Sequence, residues 1–252
     1  MNTNQLRVLI TGGGSGIGLA LARKFFAAGN SVVITGRDQS KLHAARIALE
    51  AEQQKDGTIQ IFAGDVANPD AIAKMTAAFP EVNVLVNNAG VQHIYDIATI
   101  SADEFAAKIE QEIRVNLIAP ILLSRAFLPQ LQRHAKTGPA AIVNVTSGLA
   151  LAPKASAPTY CASKAGLRSF SQALRYQLDS HSVRVFEVLA PLVDTAMTAG
   201  RGSGKISPQQ LADEFWRGWI RDRSEMFIGK SKLLYRINRL WPGLANSIMR
   251  KM

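Results

Sequence analysis

The apolar run Leu6-Arg7-Val8-Leu9-Ile10 breaks at Thr11 into Gly12-Gly13-Gly14-Ser15-Gly16-Ile17-Gly18, after which residues 19–28 have helical composition. Glycines let the backbone turn tightly and approach a bound group, and the free N–H groups at a helix start favour an anion there. A purely structural glycine loop needs neither neighbour. With a strand before it and a helix after it, the turn reads as a pyrophosphate cradle for a dinucleotide, built from Thr11, Gly12, Ser15, Gly16, Ile17 and Gly18.

The alternation continues. Residues 31–35 form a second strand, 39–55 a polar helix, 58–63 a third strand, 69–79 a helix and 82–86 a fourth strand ending in Asn87-Asn88-Ala89-Gly90. Repeated strand–helix units predict an α/β fold, a Rossmann-type doubly wound parallel sheet flanked by helices in a single domain. Residues 101–134 are long enough for two helices or one bent one, with Pro120 interrupting helical bonding shortly after Asn116. Beyond these, the pattern predicts a strand over 141–147, a helix to about residue 178 and a strand over 182–189. A mobile glycine-rich connection over 198–205, a helix over 208–222 and an edge strand over 225–228 follow. Residues 1–229 make up the dinucleotide-binding domain, and 230–252 a basic amphipathic extension of that domain.

The end of the second strand reports on the cofactor. Arg37 lies nineteen residues beyond Gly18, where an acidic side chain would accept bonds from a ribose 2′-hydroxyl and an arginine can hold a 2′-phosphate. Arg37 therefore favours NADP(H) over NAD(H), with Asp38 as the competing ribose ligand. Asp65, at the end of the third strand, could contact an adenine amino group or cap the helix that follows.

Tyr160 and Lys164 stand four residues apart in a helical stretch, so both side chains share one face. A fixed ammonium lowers the pKa of a nearby phenol, and Ser147, ending a β-rich run, could present its hydroxyl beside it. Together the three could protonate a substrate carbonyl. The Tyr–Lys spacing alone also arises by chance.

Taken together, Thr11-Gly12 with Gly16 and Gly18, Asn87-Asn88-Ala89-Gly90, Ser147, Tyr160 and Lys164 resemble the short-chain dehydrogenases/reductases over most of residues 5–195. The resemblance implies an NADP(H)-dependent oxidoreductase acting on a carbonyl/alcohol pair. By that resemblance Asn116, Ser147, Tyr160 and Lys164 are catalytic, with Asn116 holding a helix irregularity and a water relay. Lys164 would also hold the nicotinamide ribose. Val66, Asn88, Ala89, Gly90, Val193 and Thr195 join the cofactor contacts, Thr195 reaching the carboxamide. The family's Pro-Gly-x-Val-x-Thr is altered here to Ala190-Pro191-Leu192-Val193-Asp194-Thr195, which stiffens the turn beside the nicotinamide. Gln92 and His93 could face substrate. Family members also pair, so a homodimer or homotetramer is expected, through the helix around Asn116 and the helix near Tyr160.

Charge and cysteine usage bound the partners. Of a net charge of +10, most lies in residues 196–252, which hold eleven Lys and Arg against four Asp and Glu. No nucleic-acid recognition motif or exposed aromatic platform accompanies it. Lys230, Lys232, Arg236 and Arg239 interleave with Leu233, Leu234, Ile237, Leu240 and Trp241, and a second short helix carries Arg250 and Lys251. Such a tail could touch an anionic membrane surface; packing on its own domain is the favoured expectation. The single Cys161 and a polar N-terminus fit a reducing cytoplasm, and no metal-ligating cluster is read. Two other functions remain open: an NADPH-binding redox sensor without turnover, and a peripheral-membrane enzyme with a lipid-like substrate.

Overall fold

The computed structural model describes residues 5–52 and 55–250. Its core is a seven-stranded parallel sheet in the order β3-β2-β1-β4-β5-β6-β7. The strands are β1 (Arg7–Thr11), β2 (Ser31–Gly36), β3 (Ile59–Ala63), β4 (Val84–Asn87), β5 (Ala141–Ser147), β6 (Arg184–Ala190) and β7 (Glu225–Phe227). The helices are α1 (Gly16–Ala27), α2 (Gln39–Ala51), α3 (Pro69–Ala78), α4 (Ala102–Ile113), α5 (Ala119–His134), α6 (Pro158–Leu178), α7 (Pro208–Ile220), α8 (Ser231–Leu240) and α9 (Pro242–Arg250). The expected doubly wound sheet is thus present. Polar Met1 to Asn4, residues 53–54 of the second predicted helix, and Lys251 lie outside the described residues.

Each face of the sheet carries its own core because side chains alternate along a strand. Val8 and Ile10 point to one face, where Phe25 of α1 meets Phe215 and Trp219 of α7. Leu9 points to the other, against Phe127 of α5 and Leu174 of α6. Burial on both faces explains why these strands read as continuous apolar runs. Strand order reverses between β1 and β4, and at such a switch point a crevice opens beyond the strands' carboxyl ends.

Residues 101–134 form one irregular helix: α4 runs into a π-helical turn at Arg114–Ile118, then into α5. Pro120 falls in the first turn of α5. Proline has no N–H to return to the preceding turn, and the π-helical turn containing Asn116 stands directly before it.

The connection over 198–205, expected to be mobile, is tied at both ends. Asp194 N–H donates to Ile206 O at 2.9 Å, Lys205 Nζ to Thr198 O at 2.6 Å, and Arg201 to Gln92 Oε1 at 3.0 Å. The tail divides its residues. Tyr235 stacks on Phe227 with ring centroids 4.1 Å apart, and Ala245 and Met249 pack with Leu149, Ala152, Leu234 and Ile237. Leu233, Leu240 and Trp241, expected to be covered too, are 60 %, 65 % and 62 % exposed.

Candidate active site

The glycine turn is held open by backbone geometry. Gly12 and Gly16 adopt φ of +66° and +54°, and a Cβ on Gly18 would lie 2.2 Å from the Gly12 carbonyl oxygen, so only glycine fits there. Thr11 and Asn88 lock this turn to the end of β4. Thr11 Oγ1 accepts from the N–H groups of Asn88 and Ala89, each at 3.0 Å, while Asn88 Nδ2 donates to Thr11 O at 2.9 Å. Ser15 makes no side-chain bond at the start of α1, which leaves the helix's first N–H groups to a bound anion. Thr195 closes the turn from the far side: its Cγ2 would stand 3.1 Å from a Cβ on Gly16. Val193, buried beside it, bridges to Ile206. A cradle that a Cβ would fill, beside an uncapped helix start, fits a dinucleotide pyrophosphate.

Arg37 and Asp38 part company at the end of β2. Asp38 caps α2, accepting from Lys41 N–H at 3.0 Å, and this bond holds its carboxyl below the ordinary range. Arg37 is exposed. Gly64 N–H donates to Gly36 O at 2.9 Å, which brings the end of β3 alongside. There Asp65 accepts from Ala67 N–H at 2.9 Å and Val66 is buried, while Asn68 rather than Asp65 caps α3.

At the other half of the crevice, Ser147 ends β5 and Pro158 starts α6, its fixed φ suiting a first helical turn. Tyr160 follows in that turn. The Ser147 hydroxyl is near enough to favour the phenolate, and Lys164 Nζ lies 5.8 Å from the Tyr160 ring centroid. Lys164 is almost wholly buried and donates to Val145 O at 2.9 Å. Burial dominates both titrations, against the expectation that the ammonium would lower the phenol. Desolvation pushes Tyr160 up to about 12, with the nearby Ser147 hydroxyl opposing it, and pushes Lys164 down to about 8.

Asn116, fully buried in the π-helical turn, grips Val91 by both backbone groups: Oδ1 accepts from Val91 N–H at 2.9 Å and Nδ2 donates to Val91 O at 2.8 Å. The same Nδ2 donates to Ser163 Oγ at 3.1 Å. Gly90 sits between Asn116 and Lys164; a Cβ there would stand 3.2 Å from Asn116 Oδ1 and 3.7 Å from Lys164 Nζ. Asn87 faces the sheet instead, donating to Asn144 Oδ1 at 2.8 Å, and Asn144 donates to Ser171 Oγ at 2.8 Å. The four residues Asn116, Ser147, Tyr160 and Lys164 are therefore one cluster at the carboxyl edge of the sheet.

One residue of this neighbourhood escaped the sequence reading. Glu112 is fully buried, and its Oε1 accepts from His93 N–H at 2.5 Å. Its Oε2 has no hydrogen-bond partner among the described residues, and burial raises the carboxyl above its ordinary value. His93 Nε2 bonds Gln111 Oε1 at 2.8 Å, so the histidine is engaged with α4. The available signal was Glu112's place in the inward stripe with Phe105, Ile109 and Asn116, at spacings of three and four.

The short chain dehydrogenase family profile matches residues 6–205. The chain is a short-chain dehydrogenase/reductase. It is 43 % identical over 200 residues to the uncharacterized oxidoreductase DltE of Bacillus subtilis, covering 78 % of this chain and 75 % of that one. A short-chain dehydrogenase from Sphingobium yanoikuyae in complex with NADPH superposes with a TM-score of 0.77 at 28 % identity, covering 88 % and 87 % of the two chains. A short-chain dehydrogenase/reductase from Burkholderia phymatum in complex with NAD has a TM-score of 0.83 at 22 % identity, covering 97 % and 96 %, a likeness of fold. As a member of this family the chain is an oxidoreductase with a nucleotide cofactor.

Proposed function

We propose that this short-chain dehydrogenase/reductase transfers hydride between NADP(H) and a carbonyl/alcohol substrate, with Tyr160 passing the proton. The observation that carries the reading is the buried Lys164 beside Tyr160, tied to the strand that ends in Ser147, on the crevice edge shared with the glycine turn. The dinucleotide, when bound, supplies or takes the hydride. Thr11, Gly12, Ser15, Gly16, Ile17 and Gly18 would hold its pyrophosphate, Asp65 and Val66 its adenine side, and Asn88, Ala89, Gly90, Val193 and Thr195 the remainder.

A phenol pushed up to about 12 is protonated at neutral pH, the form that donates to a carbonyl oxygen during reduction. Ser147 donates a hydrogen bond to the same oxygen as charge builds there. Lys164 stands behind Tyr160, and Gly90 brings Asn116 beside it, a route by which the phenol regains its proton. Arg37 supports the NADP(H) preference, because Asp38 is engaged in capping α2. Ile118 of the π-helical turn, Leu122 of α5 and Tyr176 of α6 are exposed large side chains on the helices through which the family resemblance implies pairing, which supports a homo-oligomer. A single buried thiol, Cys161, suits a cytoplasmic setting.

NADPH oxidation measured across a panel of aldehydes and ketones, with Tyr160→Phe as control, tests the reading. Turnover of one carbonyl class that the variant loses is expected. Tight NADPH binding with no turnover across the panel would favour a redox-sensing role instead.

A further inference from the structure

We propose that the outer face of α8 and α9 docks on an anionic lipid surface. The inner face of these helices is already occupied, by Phe227, Leu149 and Ala152. What remains outside is apolar where solvated helices are polar: Leu233, Leu240, Trp241, Leu244 and Ile248 are 60 %, 65 %, 62 %, 51 % and 41 % exposed. Leu233 and Leu240, seven apart, share one stripe of α8, and Leu244 and Ile248, four apart, share one stripe of α9. Five large apolar side chains left exposed on two consecutive helices mark an interaction site, where scattered single ones would not.

The charge beside the patch selects the occupant. Residues 226–252 contain no Asp or Glu. Arg236 is exposed between Leu233 and Leu240 and also lines a groove of about 480 Å³ with Arg217, Arg221, Arg223 and Lys232. Glu214 and Glu225 in that groove are already paired, with Lys232 and Arg168 respectively. A second copy of the chain would bring this basic face against itself across a two-fold axis, which like charges oppose. Phosphate headgroups suit the arginines, and an aromatic with four aliphatic side chains suits the boundary of headgroup and acyl chain. No described helix is long and apolar enough to cross a membrane, so the contact lies along the surface.

The test is co-sedimentation of the full chain with vesicles of phosphatidylcholine alone and with about 30 % phosphatidylglycerol, at about 0.05 and 0.5 M salt. Trp241 supplies a second readout: Trp219 is fully buried and Trp216 lies edge-on to Phe25, so Trp241 emission shifts to the blue on docking. Expected are at least about fivefold more binding to the anionic vesicles, loss of most of it at high salt, and loss in both Leu240→Gln/Trp241→Gln and Arg236→Gln/Arg239→Gln. Carbonyl reduction of a soluble substrate should be unchanged in all of them. Absence of vesicle binding, or equal binding to neutral vesicles, overturns the proposal. So does a dimer in light scattering that Leu240→Gln/Trp241→Gln converts to monomer, since the patch would then be covered by a second copy.

Discussion

Lys164 Nζ donates to the carbonyl oxygen of Val145 at 2.9 Å, two residues before Ser147, and so fastens α6 to the strand that carries the serine. The bond fixes the spacing of Ser147, Tyr160 and Lys164 independently of substrate. It also keeps an ammonium out of water, and burial drives its pKa from 10.5 to about 8. Because the folded state holds this proton less firmly than the unfolded chain, stability rises with pH between about 8 and 10.5 and the cost is fully present below about 8. Lys164→Met should therefore raise the thermal midpoint at pH 7, by the equivalent of about 1–2 kcal/mol, while abolishing carbonyl reduction. Calorimetry and turnover on the same preparation check it; a destabilised variant would show that the Val145 bond outweighs desolvation.

Tyr160 titrates in the opposite sense. Its folded value of about 12 lies above the ordinary 10, so the stability it lends is complete below about 10 and is lost as pH rises toward 12. Tyr160→Phe removes the hydroxyl and little else. Reduction should fall by about 10²-fold or more, with NADPH affinity within about threefold of wild type, as fluorescence titration would measure. Substantial residual turnover would move the proton donor elsewhere.

Arg37 decides between the two nicotinamide dinucleotides. Each charge-assisted bond to a 2′-phosphate is worth about 1.5–3 kcal/mol, so Arg37→Ala should weaken NADPH by roughly tenfold or more and leave NADH nearly unchanged. Dissociation constants for both cofactors give the answer. A wild type that prefers NADH would refute the assignment outright.

What the sequence made legible was local. The strand, glycine turn and helix of residues 6–28 are contiguous, and φ of +66° at Gly12 is what a glycine there announces. Tyr160 and Lys164 could be paired by helical spacing alone. Their titration could not: spacing placed an ammonium near a phenol, but the burial that dominates both pKa values arises only once the chain has folded, with Lys164 held to Val145 O, 19 residues upstream. The chain of bonds Asn87–Asn144–Ser171 joins residues 57 and 27 positions apart and leaves no local pattern. Tail amphipathicity showed that one face would pack, and only the structure separates Ile237, packed inward, from Leu240, left outside.

The tail's inner face predicts a stability effect separable from lipid. Ending the chain after Ile228 would expose Phe227, Leu149 and Ala152, which Tyr235, Leu234, Ala245 and Met249 now cover. Removing this much apolar contact should lower the thermal midpoint by several degrees, measurable by scanning calorimetry. An unchanged midpoint would mean that α8 and α9 do not pack on the domain in solution.

Glu112 offers the sharpest test of how the crevice is built. Its Oε1 holds the N–H of His93, and Asn116, four residues on, holds both backbone groups of Val91, so α4 and the π-helical turn position residues 91–93 beside Tyr160. Glu112→Gln preserves the acceptor and the volume; Glu112→Ala leaves the His93 N–H unpaired, at about 1–3 kcal/mol, and frees the segment. Substrate KM should therefore rise in the alanine variant and stay near wild type in the glutamine variant. The pH dependence separates positioning from packing. Burial raises the Glu112 carboxyl, so the folded state binds the proton more firmly, and the group costs stability as pH rises from its ordinary 4.5 through the raised value. Glutamine removes that cost and should stabilise the protein at pH 7. Ionised Glu112 also adds to the upward shift of Tyr160, so Glu112→Gln should move the rising limb of alcohol oxidation, where the phenol becomes the base, to lower pH. A limb that stays in place while KM rises in the alanine variant would assign Glu112 to holding the segment alone.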